Sequence, residues 1–406
     1  MIEIGSKVVD ITPDRPVYLR GHAMRTEKSK GVHDRLEAVI CWLKVDEQVI
    51  LLVNGDVSGW DYAFVHEFRR RVCEKCEVKP EHVVLSATHT HSGPVLWTVD
   101  KEYPHDEEVR QAVMTTLVSG AVDSYGCWQP VSRVLCSQGI SQGYYGNRNG
   151  RDLYGDQNIV VLEFRDEKDQ NLAAWVNLSC HATVLSPQEY QLSGDLLGAL
   201  RRKLTPYLKV CPMMMNGNAG DMSNRLYRQN NDFAELERVS QGIAYQIMGF
   251  ADRREIQLAK PQTQTFTFEV EYDTDKETLN RKIEEFSEKL NTVSEYDARK
   301  WIISEIAGFR RKLAVDHVDL KFETTILRMK DLELVILPCE LVSAFGRQIK
   351  KTSTAACCLV WGYANGQTTY VVEASQFNGG HDGIATHLPK GKAEEYVGLI
   401  LQHLID

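Results

Sequence analysis

Short apolar runs in this chain end, again and again, in loops dense with His, Asn, Gly and Thr. Residues 83–87 run into Thr88-His89-Thr90-His91, and residues 173–178 run into Ser179-Cys180-His181. Residues 213–215 feed Asn216-Gly217-Asn218-Ala219-Gly220-Asp221, and residues 334–337 feed Pro338-Cys339-Glu340. Runs this short, bounded by turn-forming residues, read as strands rather than as buried helices. Helical stretches fall between them at 63–72, 106–122 and 232–250. A chain that alternates in this way folds as a mixed α/β (α+β) protein, a β-sheet core flanked by helices, with its chemistry in the loops at strand ends.

Further strands are expected at 8–11, 36–45, 48–53 and 158–164, and a C-terminal helix at 393–405. No internal repeat is visible. One segment stands apart: residues 274–315 are densely charged, with Leu279, Ile283, Phe286 and Leu290 spaced on one helix face and a second apolar set at Trp301, Ile302, Ile306 and Phe309. Thr274-x-x-Glu277 reads as a capping box. An antiparallel helical hairpin inserted at about 274–315 is predicted, with a packed hairpin favoured over a lid.

Composition removes several function classes. The 406 residues carry 47 Lys+Arg against 56 Asp+Glu, a formal charge of −9, with no basic stripe; a nucleic-acid partner is not expected. No apolar stretch approaches the ~20 residues of a membrane span, so no stable membrane anchor is expected. The start, Met1-Ile2-Glu3-Ile4-Gly5-Ser6-Lys7, does not resemble a signal peptide. Ten cysteines lie mostly within apolar runs, the habit of reduced thiols, and together these features predict a cytoplasmic protein. The pair Cys73-x-x-Cys76 lacks a second pair at zinc-finger spacing and reads as thiols at a helix end.

Each polar loop admits a structural and a chemical reading. His89 and His91, two apart on a strand, share a face and can converge on a metal; equally, they can be satisfied core histidines. His181 at a strand end is open in the same way. The turn 216–224 brings backbone N–H groups and Ser223 near a ligand, or is simply a tight Asn/Gly turn. Glu340 sets a carboxylate directly after a strand, and Gly362-Tyr363-Ala364-Asn365-Gly366 leads into Tyr370.

Taken together, these stretches resemble the catalytic domain of the neutral (non-lysosomal, neutral/alkaline) ceramidase family. The resemblance begins at Val9-Asp10-Ile11-Thr12-Pro13 and runs through Gly21-His22-Ala23 and Gly31-Val32-His33-Asp34-Arg35. It is most specific at Ala87-Thr88-His89-Thr90-His91-Ser92-Gly93-Pro94, Cys180-His181-Ala182-Thr183 and Gly220-Asp221-Met222-Ser223, and continues through Leu337-Pro338-Cys339-Glu340 to Asp382-Gly383. It implies one catalytic Zn2+ held by His89, His181, Glu340 and Tyr370. It makes Ser223 the nucleophile, with His91 and Arg148 at the developing oxyanion, and sets Asn218, Asp221 and His381 at the substrate. The implied activity is zinc-dependent amidohydrolysis, N-deacylation of an N-acyl amide such as the sphingolipid ceramide or a smaller soluble amide. Hydrolysis of a soluble ester or lactone, or a silent metal-binding or ligand-sensing protein, are the alternatives. Motifs spanning residues 9–383 imply a single catalytic domain.

Three departures bear on the substrate. Ala182 stands where the family has Gly, Asn224 follows the GDxS turn where the family has Pro, and His381 falls near the family's second Tyr. No C-terminal immunoglobulin-like domain is expected, a small-molecule partner is, and a homo-oligomer is left open.

Overall fold

The computed structural model describes residues 1–97, 103–377 and 379–405. Its first sheet contains β1 (Ile2–Asp10), β2 (Glu37–Val45), β3 (Gln48–Gly55), β4 (Val83–Ala87) and the short β5 (Gln129–Pro130), in the order β4-β3-β2-β1-β5. The second contains β6 (Arg133–Ile140), β7 (Asn158–Arg165), β8 (Asn171–Leu178), β9 (Met213–Asn216) and β10 (Asp252–Ile256), in the order β9-β8-β7-β6-β10. The third contains β11 (Gln262–Asp273), β12 (His317–Met329), β13 (Leu332–Ile336) and β14 (Cys357–Trp361), in that order. Helices α1 (Tyr62–Cys73), α2 (Glu107–Ser124), α3 (Asp195–Leu208), α4 (Phe233–Met248), α5 (Lys276–Thr292), α6 (Tyr296–Leu313), α7 (Ser343–Thr352), α8 (Gly380–Ala385) and α9 (Lys392–Ile405) lie between and after the strands.

The sequence shows no repeat, yet the topology recurs three times. Each sheet begins as a three-stranded antiparallel meander, then crosses over through a helix (α1, α3 or α7) to a strand parallel to the third. The first two repeats add a second helix and an antiparallel edge strand beside the first strand. Parallel pairs need such a crossover because a tight turn cannot return the chain in the same direction.

Alternation within the strands explains their unbroken apolar runs. In β2, Val39, Cys41 and Leu43 face a central core, whereas Ala38, Ile40 and Trp42 face the helices. The central core also takes Trp175 and Met213 from the second sheet and Leu334, Leu359 and Trp361 from the third. Outer faces pack on helices: α1 to α4 cover the first two sheets, while α7 and α9 cover the third through Phe345 and Tyr396. The inner strands of the first two sheets are therefore dry on both faces, the condition that favours continuous hydrophobicity, whereas β11 and the first half of β12 alternate with an exposed polar face.

At the centre the repeats join by their strand ends. Ala87 N donates to Tyr363 O at 3.0 Å, Asn365 N to Leu85 O at 2.8 Å, and Gly362 N to Asn216 O at 3.0 Å. The Asn216 side chain adds donations to Thr88 O and Cys180 O, both at 3.1 Å. These bonds satisfy backbone that would otherwise be buried and unpaired.

The 274–315 hairpin is present as α5 and α6, inserted in the β11–β12 connection, with its own small core of Leu279, Phe286, Ile302, Ile306 and Phe309 against Ile384. The capping-box reading is corrected: Asp275, not Thr274, caps α5 and accepts from Thr278 N. Asp at this position accepts the bond through a charged carboxylate and favours the positive end of the helix dipole.

Candidate active site

The three repeats deliver their strand-end loops to one place. His89 follows β4, His181 follows β8, Glu340 follows β13 and Tyr370 lies beyond β14. His89 and His91 do converge, but not by strand alternation: β4 stops at Ala87, and His89 takes a left-handed backbone with φ 64°. The turn, rather than the pleat, sets the two rings 4.8 Å apart.

Four donor atoms meet. His181 Nε2 lies 3.1 Å from Glu340 Oε2 and 3.2 Å from the Tyr370 hydroxyl, and His89 Nε2 lies 3.3 Å from Glu340 Oε2. Four ligands at ~2.1 Å around a tetrahedral zinc sit about 3.4 Å from one another, close to these separations. The tautomers are fixed from behind. His89 Nδ1 lies 2.6 Å from Ser58 O, and His181 Nδ1 lies 2.6 Å from Ala219 O. A carbonyl can only accept, so both Nδ1 atoms donate and both Nε2 atoms present lone pairs. Glu340 Oε2 is buried and accepts no hydrogen bond among the described residues, while its other oxygen takes Gln367 Nε2 at 3.2 Å. Two imidazole lone pairs aimed at a bare carboxylate oxygen repel one another unless a cation sits among them. The residues present therefore fit a divalent metal. His91 offers a further nitrogen, its Nε2 3.2 Å from His89 Nε2, and His89, His91 and His181 form a compact three-histidine group able to hold an ion.

The electrostatics agree with neutral ligands. Burial, helped by Arg148, pulls His181 down to about 4, and burial with the neighbouring imidazoles holds His91 well below its ordinary value. Burial and then Glu340 push the Tyr370 phenol well above its ordinary value.

A cavity of about 130 Å³ opens beside this cluster, and Ser223, Arg148, His91, His181, Tyr370 and His381 all border it. Arg148 is held by Asp382 and by Gly220 O at 2.7 Å, with its guanidinium over the Tyr370 ring. Ser223 Oγ accepts from Arg225 N at 3.1 Å. His381 pairs with Glu305 of α6, so the inserted hairpin forms one wall, to which Lys300, Trp301 and Ser304 also contribute.

Asn218 and Asp221 lie behind the cavity wall, not on it. The Asp221 carboxylate accepts from Asn147 Nδ2 at 2.8 Å and from Ser343 N and Oγ, each at 2.7 Å, and burial pushes it up to about 6. Asn218 is fully buried against Gly346, where a Cβ would come within 2.2 Å of its carboxamide.

Sequence reasoning missed several supports. Tyr363 stacks on His89 with ring centroids 4.1 Å apart, although the Gly362–Gly366 stretch had marked its neighbourhood. Arg25, buried and carried by no motif, binds His91 O and Ser92 Oγ on one side and Ser186 O and Pro187 O on the other. Gly21, at φ +113°, lies so close to His91 that a Cβ would fall 2.3 Å from its ring.

No family model and no curated protein matches this chain by sequence. Among solved structures, neutral ceramidase from Pseudomonas aeruginosa superposes with a TM-score of 0.75 at 17% identity, over 100% of this chain and 74% of that one. A second structure, a ceramidase complexed with C2, gives a TM-score of 0.76 at 18% identity, over 100% of this chain and 75% of the other. From its first strand to its last helix, this chain has the fold of neutral ceramidase.

Proposed function

We propose that the protein is a metal-dependent amide hydrolase of the neutral ceramidase family, with zinc as its metal. The observation that carries this reading is the meeting of His89 Nε2, His181 Nε2 and Glu340 Oε2 within 3.1–3.3 Å, with each imidazole committed on its far side to a carbonyl. His89, His181, Glu340 and Tyr370 would hold the ion. Bound there, zinc supplies a Lewis acid and an acidified water. His91 and the Arg148 guanidinium would hold the carbonyl oxygen as it gains negative charge, a task for which fixed donors in a dry site are well suited. Asp382 keeps Arg148 from swinging away. Ser223 presents a hydroxyl whose oxygen already accepts one bond and whose proton is still to give, the state expected of a nucleophile awaiting a base.

Turnover of short N-acyl amines by the zinc-loaded protein, set against matched esters, tests the reaction class; hydrolysis of neither would overturn it. Replacing Ser223 by alanine is expected to lower amide turnover by at least about 10²-fold with metal content unchanged. A Ser223→Ala protein with full turnover would eliminate an acyl-enzyme and leave direct attack by water.

Gly21→Ala tests His91 separately. The added methyl must displace the imidazole or strain the loop, and a shift of about 1 Å in a catalytic group costs on the order of 10²-fold. We expect that loss in kcat with zinc retained, and wild-type kcat in a Gly21→Ala protein whose His91 ring NMR signals are shifted would remove His91 from the reaction.

A further inference from the structure

Little apolar surface faces the active-site cavity. No aliphatic side chain is among its described lining residues, and Trp301 and Tyr370 supply its larger aromatic rings. Tyr370 already belongs to the donor cluster, its hydroxyl 3.2 Å from His181 Nε2. Pockets that take a hydrocarbon chain are lined mainly by apolar side chains and commonly enclose ~300–1,000 Å³. This one encloses about 130 Å³, and a cavity of about 150 Å³ takes a single benzene.

The inserted hairpin helps to set this size. Lys300, Trp301 and Ser304 of α6 border the cavity, three and four residues apart on one helix face. Ile302, Ile306 and Phe309 turn instead into the hairpin's own core. Trp301 is braced from behind: its ring lies 5.5 Å from that of Phe286, which in turn meets Phe309 edge-on at 5.4 Å. The hairpin is also tied to α8 and the residue that follows it. Glu305 pairs with His381, and Lys312 Nζ donates to Ile384 O at 2.9 Å and to Thr386 O at 2.5 Å. Because α8 carries Asp382, which holds Arg148, the wall and the guanidinium share one anchor. A ring held in this way is a stop, not a door.

In the reaction proposed above, Ser223 Oγ bonds to the carbonyl carbon, the C–N bond breaks and the hydroxyl proton passes to the departing amine. The acyl group then stays behind as an ester on Ser223, so it is the arm of the substrate that must fit inside. We infer that the substrate is a compact amide with a short acyl group, about six non-hydrogen atoms at most, and that Trp301 is the stop that excludes longer chains. As a statement about turnover this rests on the hydrolase reading; as a statement about what the cavity admits it stands by itself.

The experiment has two arms. In the first, the zinc-loaded protein is given N-acetyl-, N-butanoyl- and N-dodecanoylethanolamine, each below the concentration at which it forms micelles. The two short amides should show kcat/KM at least about tenfold above the dodecanoyl compound, a ratio within reach of a size-limited pocket. In Trp301→Ala and in Trp301→Leu the ratio of acetyl to dodecanoyl turnover should fall at least about tenfold. Leucine keeps an apolar contact with Phe286, and thermal melting confirms that both variants fold. In the second arm, calorimetry measures binding of acetohydroxamate and of dodecanohydroxamate to the same zinc-loaded proteins, which asks for entry without turnover. The short probe should bind more tightly, and the difference should narrow in both variants. That preference, with no amide hydrolysed by any form, would sink the hydrolase reading and leave the size limit standing. Hydrolysis with equal or better use of the dodecanoyl amide, no preference between the hydroxamates, or a preference indifferent to Trp301 would overturn the inference.

Discussion

Exchanging His89 and His181 together for alanine is expected to take the protein from about one zinc per chain to none, and hydrolysis down by on the order of 10³-fold or more. Two of the four donor atoms disappear, and those left, Glu340 and Tyr370, do not make a zinc site by themselves. A bound metal contributes several kcal/mol of transition-state stabilisation, and each 1.4 kcal/mol is tenfold in rate. Metal analysis after gel filtration and a single-substrate rate measure both quantities. Zinc retained at full occupancy by the double variant would mean that the ion sits elsewhere. The more telling single change is Glu340→Gln: it keeps size and hydrogen-bonding but removes the charge that makes three facing acceptors intolerable without a cation. We expect weaker zinc binding in a protein that folds at least as well.

The second large effect is on stability. Arg201 on α3 is fully buried, with one guanidinium nitrogen on Asp56 and Nε 3.1 Å from Glu37 Oε2. Removing one partner of such a pair leaves an uncompensated buried charge, at a cost of about 3–5 kcal/mol, whereas replacing both with apolar groups is often close to neutral. Arg201→Met should therefore shift the denaturant midpoint strongly, and Arg201→Met with Asp56→Leu should recover much of it. A change below about 1 kcal/mol in the single variant would show that the pair is not what holds α3 to the sheet. The same substitution should reach the metal. Asp56 opens the loop Asp56-Val57-Ser58, whose Val57 O takes His89 N at 3.0 Å and whose Ser58 O takes His89 Nδ1. Loss of such outer support typically costs 10–100-fold in metal affinity.

Much of this was legible in the residues. The helices at 63–72, 106–122 and 393–405 appear as α1, α2 and α9 within a residue or two, because their apolar spacing and, at α1, the cap at Asp61 agree with one another. His89, His91, His181, Glu340 and Tyr370, far apart in sequence, lie beside one another in the fold. The two long strands of the third sheet went unread although the signal was there: Phe266, Phe268, Val270 and Tyr272 alternate along β11, and Val318, Leu320 and Phe322 along β12. The left-handed turn at His89 left no trace, since that backbone is imposed by bonds to residues distant in sequence, Ser58 and Val57. Asn218 and Asp221 were set at the substrate by the family resemblance, while the turn that carries them could equally be a tight structural one. Here the turn folds away, and Asp221 instead fastens Ser343 at the start of α7.

The threefold topology has a consequence for how the protein is made. His89 belongs to the first repeat, His181 to the second, and Glu340 and Tyr370 to the third. A nascent chain that has completed two repeats holds a pair of imidazoles and a central core lacking one of its three sides. The carboxylate, the phenol and the missing apolar cover then arrive on one segment of chain. With an ion held as proposed above, its capture and the closure of the core would be a single event once the third repeat has emerged, and metal supply would govern the yield of folded molecules as well as their activity.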